Sequence, residues 1–145
     1  MFDVVVIGGG GHVGLPLSIM FANAGLKVAI FDTSKLTVEK IKSGQMPFWE
    51  PGASELLNEN LANGNLQAFT DPECIEHSRS VVVVIGTPVD EHLNPDPNSL
   101  RNALEESRSH FRDGQLLVLR STIFPGVTRQ IEDLMATWGL KIDVA

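Results

Sequence analysis

The sequence has few of the residues that would cross-link a chain or carry it through a membrane. It contains one cysteine, Cys74, so a disulfide within the chain is excluded and a reducing compartment is favoured. No apolar run reaches the roughly 18 residues of a membrane-spanning helix. The N-terminus lacks the basic region and the cleavage site of a signal peptide. We therefore expect a cytoplasmic location and no membrane partner.

Basic residues are also scarce. Lys and Arg number 11 against 18 Asp and Glu, a formal net charge of −7, which disfavours binding to nucleic acids. The first 31 residues contain only two charged side chains, those of Asp3 and Lys27. With 145 residues, of which 43% are hydrophobic and 20% charged, the composition is that of one globular domain.

Apolar strand-like runs alternate with helical stretches along the whole chain. Strands are predicted at residues 4–7, 27–31, 65–69, 81–85, 116–119 and 141–144. Helices are predicted at residues 12–24, 34–42, 53–61, 99–111 and 125–138, with a shorter one opened by Asp71 and Pro72. The pattern predicts an α/β fold with a doubly wound parallel sheet in a single domain, residues 1–145. Because the chain ends at the last predicted strand, we expect it to be one domain of a longer protein.

The chain is rich in glycine between the first strand and the first helix. Gly9, Gly11 and Gly14 form a G-x-G-x-x-G pattern within the segment GGGGHVG. The first glycine permits a tight turn, the second lets the backbone approach a pyrophosphate, and the third lets the helix pack against the sheet. Phosphates then bind N–H groups at the helix N-terminus, where the helix dipole is positive. A purely structural glycine turn is the alternative interpretation.

An acidic residue follows at the distance that a dinucleotide site requires. Asp32 ends the second predicted strand, 18 residues after Gly14. A carboxylate there accepts hydrogen bonds from ribose hydroxyls and repels a 2′-phosphate, so NAD is favoured over NADP. Lys35 lies nearby and either weakens the preference for NAD or is a solvated helix residue. The alternative interpretation of Asp32 is a helix cap with no role in binding. Loop and acid together predict a Rossmann-type domain that binds NAD.

Further motifs lie along the whole chain. They are Gly9 to Leu17, Asp32 with Lys35, Glu50-Pro51-Gly52, Gly86-Thr87-Pro88 and Ser121-Thr122-Ile123-Phe124-Pro125-Gly126. This set resembles the nucleotide-sugar dehydrogenases, and more narrowly the UDP-glucose and UDP-N-acetylmannosamine 6-dehydrogenases. The segment from Val89 to Asp96, VDEHLNPD, favours the N-acetylmannosamine branch.

The resemblance implies an activity for a longer protein. Enzymes of this family oxidise the C6 alcohol of a UDP-sugar to a carboxylate with two NAD, using catalytic residues of a later domain. A connecting helix dimerises them, so the full-length protein is expected to be a homodimer or larger. The resemblance thus implies that the present chain binds NAD without turnover. The UDP-sugar substrate is expected to bind mostly to the absent domain.

The resemblance also assigns site residues. Gly86, Thr87 and Pro88 are expected at the adenosine or ribose side of NAD, and Ser121 and Thr122 near the nicotinamide. The Thr122 hydroxyl is expected to orient a water or substrate oxygen, which makes it the catalytic candidate of this chain. Turn and cap chemistry is the alternative interpretation for both motifs.

Some residues depart from the family pattern or fit it loosely. His12 stands where the family usually has a tyrosine, next to Val13 at the expected pyrophosphate. Its imidazole is expected to hydrogen-bond a phosphate oxygen, unless it is a helix residue without contact. Glu50 is either a site residue or a loop carboxylate. Cys74 does not match the family's catalytic cysteine, and we expect it to be structural, on a surface-like helix.

Two other classes share parts of this pattern. A nucleotide-sensing module like those that gate potassium transport has the glycine loop and the acid, as does a Rossmann dehydrogenase of the hydroxyacyl-CoA or phosphogluconate type. The G-T-P and S-T-x-x-P-G motifs favour the nucleotide-sugar dehydrogenases over both. No metal is expected, because His77, His92 and His110 lack metal-ligand spacing and Asp90-Glu91-His92 is interpreted as a solvated loop.

Overall fold

A computed structural model describes residues 1–86, 96 and 98–145. Its sheet has six parallel strands in the order β3-β2-β1-β4-β5-β6. The strands are β1 (Phe2–Ile7), β2 (Val28–Phe31), β3 (Leu66–Phe69), β4 (Ser78–Val83), β5 (Leu116–Leu119) and β6 (Asp143–Val144). The helices are α1 (Gly14–Asn23), α2 (Lys35–Lys42), α3 (Ala53–Ala62), α4 (Ser99–Glu106) and α5 (Val127–Thr137), with 3₁₀ turns at Pro72–Ile75 and Arg108–His110. The predicted Rossmann-type α/β fold is confirmed.

The strand order reverses next to β1. This strand pairs with β2 on one side and β4 on the other, so that Val6 lies opposite both Ile30 and Val82. The chain therefore builds one half of the sheet outward from β1 and then returns to build the other half. In open parallel sheets this reversal opens a crevice beyond the carboxyl ends of the strands, where ligands bind.

Helices cover both faces of the sheet. Val6 packs in one cluster with Leu15 of α1, whereas Val5 packs in a second cluster with Leu104 of α4 and Met135 of α5. All five side chains are fully buried, and burial of a side chain of this size stabilises a fold by about 1.5–3 kcal/mol. The alternation of Val5 and Val6 between two cores explains why β1 is apolar without interruption. The loop after β1 therefore starts from a rigid base.

Local contacts explain where the elements of the N-terminal half begin and end. The first helix was predicted from residue 12, but α1 begins at Gly14 because the preceding residues belong to the loop. It ends where the Gly25 N–H donates to the Ala22 carbonyl oxygen and the Leu26 N–H to that of Phe21, a closure typical of glycine after a helix. The N-cap of α2 is Ser34, whose hydroxyl accepts the Thr37 N–H.

Boundaries also differ in the second half, where the strand predicted over residues 141–144 begins at Asp143. The strand predicted from residue 81 begins at Ser78, because Ser78 pairs with Phe2 of β1. The helix predicted over residues 99–111 ends at Glu106 and is followed by a 3₁₀ turn. The helix predicted from residue 125 begins at Val127, because Gly126 is its N-cap and Pro125 precedes it.

The Asp71-Pro72 prediction is confirmed as a cap. The Asp71 carboxylate accepts the Glu73 N–H at 2.9 Å, and Pro72 is the first residue of the turn. The segment is a 3₁₀ turn of four residues rather than a longer helix.

The expected exposure of Cys74 is wrong. The 3₁₀ turn directs this side chain inward, where it packs in the same cluster as Val5 with 5% of its surface exposed. Its thiol lies 3.5 Å from the Asp71 carbonyl oxygen, to which it donates. Burial raises the pKa of the Cys74 thiol to about 12. The residue is therefore a structural thiol, as the sequence suggested, but an interior one.

Across the described ranges, no helix has both the length and the apolar character to cross a membrane.

Candidate functional site

The crevice at the strand reversal contains two adjoining cavities. Both are lined by Gly8, Gly11 and Gly86. The cavity on the side of β2, called here the β2-side cavity, has a volume of about 590 Å³ and is also lined by Asp32, Thr33, Thr70, Pro72, Glu106 and Ser107. The cavity on the side of β5, the β5-side cavity, has a volume of about 400 Å³ and is also lined by His12, Val13, Gly14, Arg120, Ser121 and Thr122. The glycine loop thus separates two compartments of one elongated cleft.

The sharp turn after β1 is made by Gly8, which the predicted motif did not include. Its φ angle is +78°, and a Cβ there would run into the carbonyl oxygen of Val84. Gly9 is needed for a different reason, because a Cβ would lie 2.8 Å from both Ile30 Cγ2 and the Val6 carbonyl oxygen. The turn can therefore hold only glycine at both positions.

The other two motif glycines differ in how closely they are packed. A Cβ on Gly14 would collide with the Gly8 carbonyl oxygen and lie 2.8 Å from the Gly9 Cα, so Gly14 lets α1 approach the turn. A Cβ on Gly11 would meet only the Gly8 carbonyl oxygen, at 3.5 Å. The backbone at Gly11 is therefore open on its cavity side.

The N-terminus of α1 has no side-chain cap. Its N-cap residue is Val13, and no side chain accepts a hydrogen bond from the first turn, which also contains no acidic residue. The first N–H groups of an α-helix have no partner within the helix. The Leu15 N–H donates to the Gly11 carbonyl oxygen at 3.0 Å, and Pro16 has no N–H. Val13 and Gly14 line the β5-side cavity, so their N–H groups and the positive end of the helix dipole are available to an anion there.

Both carboxylate oxygens of Asp32 accept backbone hydrogen bonds. Oδ2 accepts the Gly10 N–H at 3.0 Å and Oδ1 accepts the Ser34 N–H at 2.9 Å. The N-cap of α2 is Ser34, whose hydroxyl accepts the Thr37 N–H, so capping does not account for Asp32. A carboxylate has about four acceptor positions, which leaves Asp32 able to accept further donors in the β2-side cavity. Lys35 is exposed and does not line either cavity.

The two predicted residues after β5 have different surroundings. The Ser121 hydroxyl accepts the Ile85 N–H at 2.9 Å and donates to the Val83 carbonyl oxygen at 3.4 Å, so it ties the ends of β4 and β5 together. Thr122 is exposed and lines the β5-side cavity. Gly86 lies between the two cavities. Residues 87–95 fall outside the described residues. This range contains Thr87, Pro88, Asp90-Glu91-His92 and most of the segment from Val89 to Asp96.

Sequence reasoning missed two side chains of the β5-side cavity region. Arg120 lines that cavity, and its position directly after β5 was a signal that could have found it. Phe48 contacts the site through His12, because the two rings stack with their centroids 4.1 Å apart and their planes at 18°. Nothing local predicts this contact, since the two residues lie in different loops.

Glu50 and Trp49 lie in the loop before α3. The Glu50 carbonyl oxygen accepts the Ala53 N–H at 3.2 Å, and its side chain lines neither cavity of the cleft. Trp49 is 85% exposed. In the part of the chain that the structure describes, no group of three or more His, Cys, Asp or Glu is arranged to hold a metal ion.

Named relatives are similar along most of the chain. The UDP-N-acetyl-D-mannosamine dehydrogenase of Pyrococcus horikoshii is 30% identical over 131 residues, 90% of this chain and 31% of that protein. The UDP-glucose 6-dehydrogenase TuaD of Bacillus subtilis is 27% identical over 136 residues, 93% of this chain and 29% of that protein. The chain thus spans about a third of the length of these relatives.

A solved structure and a protein family are similar to this chain over the same residues. The structure of UDP-D-ManNAc dehydrogenase from Pyrococcus horikoshii has a TM-score of 0.89 at 30% identity and covers 98% of this chain and 34% of that one. The sequence model of the UDP-glucose/GDP-mannose dehydrogenase family, NAD binding domain, matches residues 2–145. The chain therefore belongs to the UDP-glucose/GDP-mannose dehydrogenase family, as its NAD-binding domain.

Proposed function

We propose that this chain is the cofactor-binding part of a UDP-N-acetyl-D-mannosamine dehydrogenase, which oxidises the C6 alcohol of its sugar to a carboxylate with two NAD. The motif of residues 89–96 supports this choice of sugar. A UDP-glucose 6-dehydrogenase is the second candidate, because relatives of both names reach 30% identity. A substrate comparison separates the two.

One arrangement carries the proposal for the cofactor. The open backbone of Gly11, the uncapped N-terminus of α1 and the carboxylate of Asp32 all face the same cleft. An extended dinucleotide has a ribose diol, a pyrophosphate and a second ribose in sequence. Asp32 matches the first ribose, and the backbone at Gly11 with the N-terminus of α1 matches the pyrophosphate. In this proposal the adenosine occupies the β2-side cavity, with Asp32 on its ribose and Gly86, Thr87 and Pro88 beside it.

The phosphate loop is proposed to bind the pyrophosphate through its backbone. Gly11 admits the phosphates, Gly9 and Gly14 keep the turn compact, and the N–H groups near His12 and Val13 donate to phosphate oxygens. The absence of Lys and Arg before residue 27 is consistent with this, because backbone dipoles then supply the attraction.

The nicotinamide is proposed to occupy the β5-side cavity near Ser121 and Thr122. When bound, NAD accepts a hydride from the substrate alcohol. Thr122 contributes a hydroxyl that can donate and accept hydrogen bonds, so it can orient a water or substrate oxygen. It does not serve as the general base, because an aliphatic hydroxyl does not lose its proton at neutral pH. Ser121 acts indirectly, because its hydroxyl is already bonded to β4 and holds the Thr122 segment in place.

The binding part of the proposal is tested by calorimetry with NAD and NADP. Asp32→Ala is expected to weaken NAD binding and to reduce the preference over NADP, because the ribose acceptor and the charge against a 2′-phosphate are both lost. Gly11→Val is expected to block binding, since its side chain occupies the phosphate approach. Unchanged NAD affinity in a folded Asp32→Ala protein would rule out the ribose assignment.

The activity is tested with the full-length protein. UDP-glucose, UDP-N-acetylglucosamine and UDP-N-acetylmannosamine are offered separately, and NADH formation is followed. Two NADH per UDP-N-acetylmannosamine, and none from the others, is the expected result. The present chain alone is expected to bind NAD without turnover. Two NADH per UDP-glucose would instead identify the second candidate.

A further inference from the structure

The His12–Phe48 stack joins the phosphate loop to the segment that follows α2. His12 is exposed and lines the β5-side cavity, whereas Phe48 is partly buried and packs against the core cluster of Val6. The rings are nearly parallel, 18° apart, with centroids at 4.1 Å. Phe48 covers one face of the imidazole of His12 and leaves the edge of that ring accessible. Since both imidazole nitrogens lie on this edge, the stack limits the directions in which His12 can donate a hydrogen bond.

The imidazole has no competing partner within the described residues. The histidine hydrogen bonds and ion pairs found there are those of His77 with Glu73 and of His110 with Glu76, and none involves His12. Lys27, the one basic residue before position 31, is bound elsewhere, since its Nζ donates to Asn65 Oδ1 at 2.8 Å. His12 is therefore the side-chain donor that the loop itself presents to the cavity, which Arg120 of the segment after β5 also lines.

We propose that Phe48 is a positioning residue that holds the His12 imidazole so that a ring N–H donates to a pyrophosphate oxygen of the bound dinucleotide. This inference rests on the proposed NAD binding and adds a side-chain donor to the backbone donors of the loop. It also makes Phe48 part of the cofactor site, because loss of its ring releases the imidazole.

Two variants separate the two parts of this contact. His12→Phe keeps a flat ring for stacking and removes the N–H donor. Phe48→Leu keeps an apolar side chain for the core and removes the flat partner. Phe48→Tyr restores a flat ring, and Trp49→Leu is the matched control, because Trp49 is an exposed aromatic of the same segment. Thermal unfolding of each variant shows whether it is folded.

The ligands are adenosine, which has no phosphate, and ADP-ribose, which has the pyrophosphate without the nicotinamide. In the full-length protein, His12→Phe and Phe48→Leu are each expected to weaken ADP-ribose binding roughly 3- to 10-fold, the range for one hydrogen bond or ring stack. Adenosine affinity is expected to stay constant. The double variant is expected to bind no more weakly than His12→Phe, while Phe48→Tyr and Trp49→Leu bind normally.

Several results would overturn the inference. Normal ADP-ribose affinity in His12→Phe shows that the imidazole does not contact the phosphates. Additive losses in the double variant show that Phe48 acts independently of His12. If Gly11→Val abolishes ADP-ribose binding while His12→Phe does not change it, the proposed NAD site stands and this inference fails. If the unmodified protein binds neither NAD nor ADP-ribose, the proposed function itself fails.

Discussion

The Asp32 carboxylate accepts the Gly10 N–H at 3.0 Å, which links the end of β2 directly to the phosphate loop. Gly10 occupies a variable position of the G-x-G-x-x-G pattern, yet a Cβ there would lie 2.8 Å from Asp32 Oδ2 and 2.7 Å from Thr37 Cγ2. The acid that we assign to the ribose therefore also shapes the loop that we assign to the pyrophosphate.

Gly10→Ala is expected to displace the Asp32 and Thr37 side chains, because both clashing atoms are at the ends of side chains. The hydrogen bond from the Gly10 N–H to Asp32 would then be lost. One hydrogen bond contributes a net free energy of about 0.5–1.5 kcal/mol, so NAD binding should weaken about 3- to 10-fold. Calorimetry with NAD and with adenosine measures the effect, and both affinities should fall because the ribose acceptor has moved. Gly11→Ala is the control, since its Cβ has room within the protein and should affect only ligands that contain phosphate. Unchanged affinities in Gly10→Ala would show that Asp32 does not depend on the loop.

Gly8→Ala should be among the most destabilising substitutions in the chain. The left-handed conformation costs an alanine about 1–2 kcal/mol, and contact with the Val84 carbonyl oxygen adds an overpacking cost of about 1–3 kcal/mol. Gly25→Ala is the matched control, because Gly25 has φ +93° but no atom within 4 Å of the added Cβ. Chemical denaturation of both variants measures the difference in free energy of unfolding. Equal losses would mean that the Val84 backbone moves away without cost.

The Cys74 thiol should be unreactive in the folded protein. With burial raising its pKa to about 12, the thiolate fraction at pH 8 is about 1 in 10,000. A thiol reagent such as iodoacetamide should leave the native chain unlabelled and modify Cys74 once guanidinium unfolds it, as mass spectrometry can show. Labelling of the native chain at the rate of an exposed thiol would contradict the buried position.

Glu76 should contribute to stability at neutral pH and lose that contribution in acid. Its Oε1 lies 2.9 Å from His110 Nδ1 and its Oε2 lies 2.7 Å from an Arg112 nitrogen. The hydrogen bond from His110, and then the bond and charge of Arg112, lower the pKa of the Glu76 carboxyl from 4.5. Because the pKa of the Glu76 carboxyl is lower in the folded protein than in the unfolded chain, ionised Glu76 stabilises the fold at pH values above its pKa in the unfolded chain. This contribution disappears as the pH falls through the pKa of Glu76 in the folded protein.

Glu76→Gln is therefore expected to unfold at a lower temperature than the unmodified protein at pH 6–7, with the two midpoints converging toward pH 3. Glu105→Gln is the comparison, because Glu105 pairs with Arg101 at 2.9 Å along one exposed helix face and such pairs contribute little. A gap between Glu76→Gln and the unmodified protein that persists at pH 3 would assign the effect to packing rather than to charge.

Much of this protein is readable from local sequence. Buried parallel strands need continuous apolar runs, so the order of strands and helices could be predicted, although boundaries such as that of β4 depended on a partner strand. The phosphate loop and Asp32 could be located because each belongs to a strand–turn–helix unit whose residue spacing is set by the backbone. The Ser34 cap is local in the same way.

Only the tertiary structure decided which residues meet across elements. His12 and Phe48 are far apart in the sequence and come together because α3 and α1 pack on the same face of the sheet. Ser121 reaches Ile85, 36 residues away, because β5 pairs with β4. Cys74 has polar neighbours in the sequence, yet a 3₁₀ turn directs it into the core. These contacts depend on strand order and packing, which no periodicity within a single segment encodes.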